Sequence, residues 1–242
     1  MKDNKQFVLM NLISYASQRE NLNDAQKSAL LIMSTFLEFN KGGVMFDTKG
    51  GYMTVNTLQK LMGYSNRKQA VRIISHCEDL GLVSTEKKGQ DIEVVLTEAI
   101  FRCGYSNGED YASYIKIYKK SLRELLKKMK PKDIGFLVDL LPHFHKDSHI
   151  LCENPTWEGI DGMQAWSCKT IADKLNIPER QVKTKMKALR SVGFLFTLLG
   201  NGEAHWISPE YASRKEEHLS VAEIEKVATL YSSNLKVNNY MF

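Results

Sequence analysis

One spacing constrains this chain more than any other: a thirty-residue layout occurs twice, at residues 54–83 and 166–195. Each copy reads as a short amphipathic helix, a tight turn, a second helix, and a glycine leading into an apolar strand. The terminal glycines, Gly81 and Gly193, lie 112 residues apart. That period is the size of a domain and too long for a solenoid, so the chain is expected to hold two similar units. At 242 residues with 43% hydrophobic and 25% charged residues, it can bury a core in each without disulfides.

The second copy has the clearer pattern. Ile171 and Leu175 line one face of a short helix, and Asn176, Ile177 and Pro178 form the turn, the proline being suited to the first positions of a helix. The next helix buries Val182, Met186 and Leu189, at spacings of four and three, and leaves Arg180, Gln181, Lys183, Thr184, Lys185, Lys187 and Arg190 to solvent. Gly193 closes it as a left-handed cap. The strands expected over Phe194–Leu199 and His205–Ile207 flank Gly200-Asn201-Gly202, a strong hairpin signal.

Helix, turn, helix and hairpin in this order resemble the winged helix-turn-helix superfamily of DNA-binding proteins. That resemblance implies a fold that is mainly α with small β-hairpin wings (α+β), as two winged helix-turn-helix domains in tandem. It also implies that the second helix of each pair enters a major groove and that the hairpin touches the backbone or minor groove. Arg180, Gln181 and Thr184, near the start of the helix, are the expected base readers. Lys183, Lys185, Lys187 and Arg190 are the expected phosphate contacts, with Asn201 at the wing tip.

In the first copy, Leu58, Leu61 and Met62 make the scaffold helix, Gly63-Tyr64-Ser65 the turn, and Ala70, Ile73, Ile74 and Cys77 the buried stripe. Its reading face is Asn66, Arg67, Lys68, Gln69 and Arg72, followed by the acids Glu78 and Asp79. Wing strands are expected over Leu82–Thr85 and Ile92–Leu96, around Lys87-Lys88-Gly89-Gln90. An apolar helix over Ala25–Asn40 precedes this copy. The expected division is an N-terminal domain over 1–105, a C-terminal domain over 106–213, and a helix with a polar tail over 214–242. A linker is expected over Phe101–Asp110.

Between the copies, Tyr114–Met129 reads as a helix with Ile115, Tyr118, Leu122, Leu125, Leu126 and Met129 inward, and Pro131 opens another. Residues 116–132 hold eight Lys and Arg against one acid, Glu124, a local +7. The helix at 179–190 adds +4 within a chain of formal charge +5, so the remainder carries −6. The basic charge is thus concentrated, and Lys119, Lys120, Arg123 and Lys127 are expected to add phosphate affinity. Beyond the second wing, Ser220-Val221-Ala222-Glu223 is a capping-box pattern. It opens a helix whose Ile224, Val227, Ala228 and Tyr231 share a face that could join two copies as a homodimer.

Tyr114–Ser213 also resembles, in layout, the plasmid replication proteins of low-GC Gram-positive bacteria. The matching residues are Tyr118 with Leu122, the run from Phe136 to Leu141, Lys169–Leu195, and Trp206-Ile207-Ser208-Pro209. The resemblance spans roughly 40% of the chain and is interrupted by residues 153–163. It implies sequence-specific binding of double-stranded DNA in plasmid or phage replication initiation or control, with replication proteins as partners. A transcriptional regulator and a scaffold that recruits replication factors are the alternatives.

No stretch approaches the ~20 apolar residues of a membrane span, and the N-terminus lacks a signal-peptide pattern. A cytoplasmic protein with four reduced cysteines is expected. No phosphate-binding loop, nucleophile elbow or His-Glu-x-x-His motif occurs, so no enzymatic activity and no cofactor are expected. His143, His145, His149 and Cys152 have spacings that could ligate zinc. They are read instead as a polar interhelix loop with a buried cysteine, and no metal site is expected.

Overall fold

The computed structural model describes residues 6–104, 113–199, 203–215, 219–234 and 239–241. The chain is a mixed α+β protein with small antiparallel sheets, and it divides into two compact units, Asn4–Val138 and Asp139–Phe242.

In the first unit, β1 (Phe7–Asn11) pairs antiparallel with β5 (Tyr114–Tyr118) from Phe7 opposite Tyr118 to Asn11 opposite Tyr114, and on its other edge with β4 (Phe101–Arg102). This ladder moves the expected boundary at 105/106 to 138/139, because β5 belongs to the sheet begun by β1. It also corrects two local expectations. Residues 114–118 are a strand instead of the start of a helix: Tyr-Ile-Lys-Ile-Tyr has the aromatic and β-branched composition that a pleated surface favours, and a partner strand more than 100 residues away decides the matter. Phe101, expected in a linker, is buried in β4, while residues 105–110 of that stretch lie outside the described residues.

Helix α1 (Leu12–Gln18) follows β1 directly. Helix α2 (Asp24–Ser34) is buried on all sides from Gln26 to Ser34, its polar Gln26, Lys27, Ser28 and Ser34 included. Asn23 and Gln26 close its N-terminus in a reciprocal capping box. It is shorter than the expected Ala25–Asn40, since Leu37 already bridges Met45 in extended conformation. Helices α3 (Val55–Leu61) and α4 (Arg67–Asp79) follow, joined through Gly63 in the left-handed region. Next comes the hairpin β2 (Val83–Lys88) and β3 (Asp91–Leu96), and after β5 the short helix α5 (Lys119–Leu126). Helix α6 (Pro131–Leu140) carries the chain into the second unit.

There, α7 (Cys168–Leu175) and α8 (Glu179–Ser191) pack together across a turn in which Asn176 is left-handed (φ 53°) and Pro178 occupies the N-cap position. Strands β6 (Leu195–Leu199) and β7 (Glu203–Ile207) form the hairpin. The expected wing tip, Gly200, Asn201 and Gly202, lies outside the described residues. Unlike the first hairpin, this one is flanked on both edges: Ile150 bridges Trp206 on one side, and β9 (Asn239–Met241) pairs with β6 on the other. The C-terminal tail therefore supplies a strand where a polar frayed end is expected from sequence. Between them come the short β8 (Ala212–Ser213) and α9 (Val221–Asn234). The capping box of α9 forms as expected, with the Ser220 N–H donating to Glu223 Oε2 at 2.7 Å and the Glu223 N–H donating to Ser220 Oγ at 3.2 Å. Its apolar face is partly spent: Ile224 is buried among Ile150, Met163, Leu198, Ala204 and Trp206 of its own unit, so Ile224 does not offer the dimer contact expected of it.

One glycine is fixed by packing as well as by conformation. Gly43 has φ +83°, and a Cβ there would stand 1.7 Å from the carbonyl oxygen of Leu96, whose N–H donates to the Gly43 carbonyl at 3.1 Å. Gly43→Ala is expected to destabilise the chain by at least about 3 kcal/mol, measured as a lower urea midpoint with unchanged slope.

Candidate nucleic-acid interface

Helix α8 presents the strongest candidate surface. Val182, Met186 and Leu189 are completely buried, which rotates Arg180, Gln181, Lys183, Thr184 and Lys187 outward; Lys185 and Arg190 are half-buried. Lys183 is paired with Glu179 at 2.6 Å, one helical turn earlier. This pairing is exposed and raises the lysine's pKa through the Glu179 hydrogen bond and charge, so it is easily exchanged for a phosphate. The Thr184 hydroxyl donates to the Arg180 carbonyl at 2.9 Å, leaving its lone pairs outward. Arg190 behaves differently: its Nη1 donates to Thr197 Oγ1 on β6 at 3.0 Å, and Thr197 in turn meets His205 Nδ1 at 3.0 Å. Arg190 therefore ties the end of α8 to the hairpin instead of standing out as a phosphate contact.

The equivalent face of α4 is built the same way. Ala70, Ile73, Ile74 and Cys77 are buried, while Asn66, Lys68, Gln69 and Arg72 are exposed. The Asn66 side chain accepts from the Lys68 N–H at 2.8 Å as the N-cap, which orients the helix start. Arg67 is half-buried, its Nε donating to Asn56 Oδ1 at 2.7 Å on α3 and its guanidinium 3.5 Å from Asp91 at the base of β3, so it braces the unit. Glu78, whose charge would oppose a phosphate, accepts from both the N–H and the hydroxyl of Thr85, at 2.9 and 2.8 Å. The acid is thereby turned onto β2. The tip of the first hairpin, Lys87 to Gln90, is exposed, with Gly89 at φ +63° and Lys88 held 3.0 Å from Glu86.

The basic run at 116–132 splits in two. Lys120 and Lys127 are exposed, Lys127 paired with Glu124 at 2.7 Å. Lys119 and Arg123 are not available as expected. The Lys119 ammonium is buried and donates to the Leu37 carbonyl; Arg123 donates to the Thr35 carbonyl and lies 4.0 Å over the Phe36 ring. Both satisfy main-chain carbonyls of the segment that follows α2, at Thr35 and Leu37. Burial pulls the Arg123 pKa below its ordinary value. Lys116, on the buried β5, lies 5.2 Å from the Phe7 ring centroid.

The stretch from His143 to Cys152 is far from a polar loop. Phe144, His145, Ser148, His149, Ile150, Leu151 and Cys152 are all fully buried. The histidines are engaged separately: the His143 ring packs at a tilt against Trp166, His145 Nε2 donates to the Trp157 carbonyl at 3.0 Å, and His149 Nδ1 donates to the Ile207 carbonyl at 3.1 Å. Among the described residues, the one grouping of metal-ligating side chains lies elsewhere, at Cys168, Glu203 and His205, which sequence spacing alone could not bring together across 35 and 37 residues.

No protein-family model, curated protein or solved structure matches the chain.

His149 carries a consequence for stability. Its Nε2 is buried without a partner, and the buried Arg214 guanidinium, 5.1 Å over the neighbouring Phe144 ring, opposes a second positive charge. Burial first, and Arg214 with it, holds the ring neutral and lowers its pKa to about 3. The unfolded chain takes up this proton near the ordinary value of 6.5, so stability falls as pH drops from about 6.5 toward 3, by up to about 1.4 kcal/mol per pH unit. His149→Asn, tolerated at the left-handed φ of 56°, is expected to flatten urea-measured stability across that window.

Proposed function

We propose that the chain binds double-stranded DNA site-specifically, as two winged helix-turn-helix units in tandem. The observation that carries this reading is the opposition of faces on α8: a stripe of three fully buried residues on one side and a nearly acid-free row of Arg180, Gln181, Lys183, Thr184 and Lys187 on the other. Such a row can offer bidentate donors to guanine and adenine edges from its first turn and neutralise phosphates along its length. The matching row on α4, Lys68, Gln69 and Arg72, supports a second groove contact. The Lys87–Gln90 hairpin tip would lie on flanking backbone. In this reading the protein initiates or controls replication of a plasmid or phage, a role in which two reading helices on one chain suit repeated sites.

The reading is tested by selecting duplexes from a random-sequence library and titrating the enriched site and unrelated DNA at several salt concentrations. Arg180→Ala combined with Lys183→Ala is expected to lower affinity for the enriched site at least about tenfold and to flatten the salt dependence. Arg123→Ala, by contrast, is expected to lower stability and leave the salt slope as it was. Unchanged affinity for all DNA in the double variant would remove α8 as the reading helix. A wild-type chain that enriches no sequence and binds no duplex would overturn DNA binding altogether and favour a protein partner.

A further inference from the structure

The second unit holds a side-chain cluster that DNA binding does not use. Cys168 is the first residue of α7, and Glu203 and His205 are on the same face of β7. Cys168 Sγ lies 3.6 Å from Glu203 Oε1 and 3.6 Å from His205 Nε2, and these last two atoms are 3.5 Å apart. We propose that Cys168, Glu203 and His205 bind a divalent transition-metal ion of the zinc class.

The triangle has the right size. A tetrahedral zinc with bonds of about 2.3 Å to sulfur and about 2.0–2.1 Å to nitrogen and oxygen separates its ligand atoms by about 3.3–3.6 Å. The three atoms therefore already occupy one face of such a tetrahedron. Thiolate, imidazole and carboxylate together suit zinc and its neighbours better than magnesium or calcium, which take oxygen alone.

Each ligand is also aimed. Glu203 Oε2 accepts from the Cys168 backbone N–H at 3.1 Å, so the carboxylate is anchored by one oxygen and its other oxygen points into the cluster. His205 Nδ1 meets Thr197 Oγ1 at 3.0 Å, and that oxygen accepts from Arg190 at 3.0 Å; a histidine held through Nδ1 directs Nε2 to the metal. Cys168 and His205 are buried, at 3% and 0% exposure, whereas the Glu203 side chain is 34% exposed, giving the ion an entry path and a water its fourth corner. Binding sends the Cys168 thiol proton to solvent. The ion would pin the start of α7 to β7, and through Thr197 and Arg190 it would reach the end of α8.

The test is titration of Co2+ into the full reduced chain, stripped of metal by chelation. One equivalent is expected to give a thiolate-to-cobalt charge-transfer band with intense tetrahedral ligand-field bands, both abolished by one equivalent of Zn2+. Cys168→Ser and His205→Asn should each weaken Co2+ binding at least 100-fold, while Cys152→Ser leaves it intact. Folded wild-type protein that gives no stoichiometric thiolate band overturns the site, as does a band that survives in folded Cys168→Ser protein. Should the variants not fold, slow alkylation of wild-type protein decides: Zn2+ must protect Cys168 above the other cysteines, and equal labelling with and without Zn2+ overturns the proposal. None of these outcomes depends on DNA.

Discussion

Burial of one stripe on α8 governs what the second unit can do. Val182, Met186 and Leu189 are without solvent exposure, and removing three such side chains from water contributes about 5–8 kcal/mol. Because a helix turns 100° per residue, fixing those three positions fixes every other one. Arg180, Gln181, Thr184 and Lys187 have no alternative to the outside, and Arg190, at the inner margin, has none to meeting Thr197. The charged face is thus a consequence of the apolar one. The same argument on α4, through Ala70, Ile73, Ile74 and Cys77, sets Lys68, Gln69 and Arg72 outward and turns Glu78 onto β2.

Local charge density is a poorer guide than helix phase, and the run at 116–132 shows why. Of its cations, Lys119 and Arg123 are consumed by the carbonyls of Leu37 and Thr35 in the segment that follows α2. A buried cation is costly unless its hydrogen-bonding groups are satisfied. Here carbonyl oxygens and, for Arg123, the face of Phe36 supply part of that compensation, while Arg123 Nε stays buried without a hydrogen-bond partner. Lys119 and Arg123 are spent inside the first unit, and the exposed part of the run, Lys120, Lys127, Lys128, Lys130 and Lys132, is left as a basic patch offset within the run by Glu124 alone, which pairs with Lys127.

What was legible in the sequence was local. Helices α3, α4, α7 and α8, the turn at Gly63, the left-handed cap at Gly193, the capping box at Ser220 and the two hairpins all rest on interactions between near neighbours in sequence, and periodicity, caps and turn chemistry report such interactions directly. The pairing of β1 with β5 was not legible, because Phe7 and Tyr118 meet across more than 100 residues and Tyr114–Tyr118 also fits a helical spacing. Nor was the addition of β9 to β6, or the burial of Phe144, His145, Ser148 and His149 beside the cysteine expected to be buried. In that stretch polar side chains are spent on main-chain carbonyls, and only the folded chain shows where those carbonyls are. Of the candidate site, the exposed residues of α4 and α8 were legible, and the structural duties of Arg67, Arg190, Lys119 and Arg123 were not.

Arg190 shows how α8 and the second hairpin are joined by side chains. Its guanidinium reaches Thr197 on β6, Thr197 reaches His205 on β7, and the backbone of His205 accepts from the Leu151 N–H on the hairpin's flanking segment. Helix α8 and the second hairpin are therefore linked by side chains at 3.0 Å steps instead of by the apolar contact alone. A change at His205 must alter the hydrogen bond available to Thr197, and through it the hold on Arg190. In the first unit the corresponding brace is Glu78 on Thr85, one acid bonded twice to a single strand residue, with Arg67 fixing the opposite end of α4 to Asn56 and Asp91. The helix that follows each turn, α4 in the first unit and α8 in the second, is thus held against its hairpin by polar contacts of a different kind.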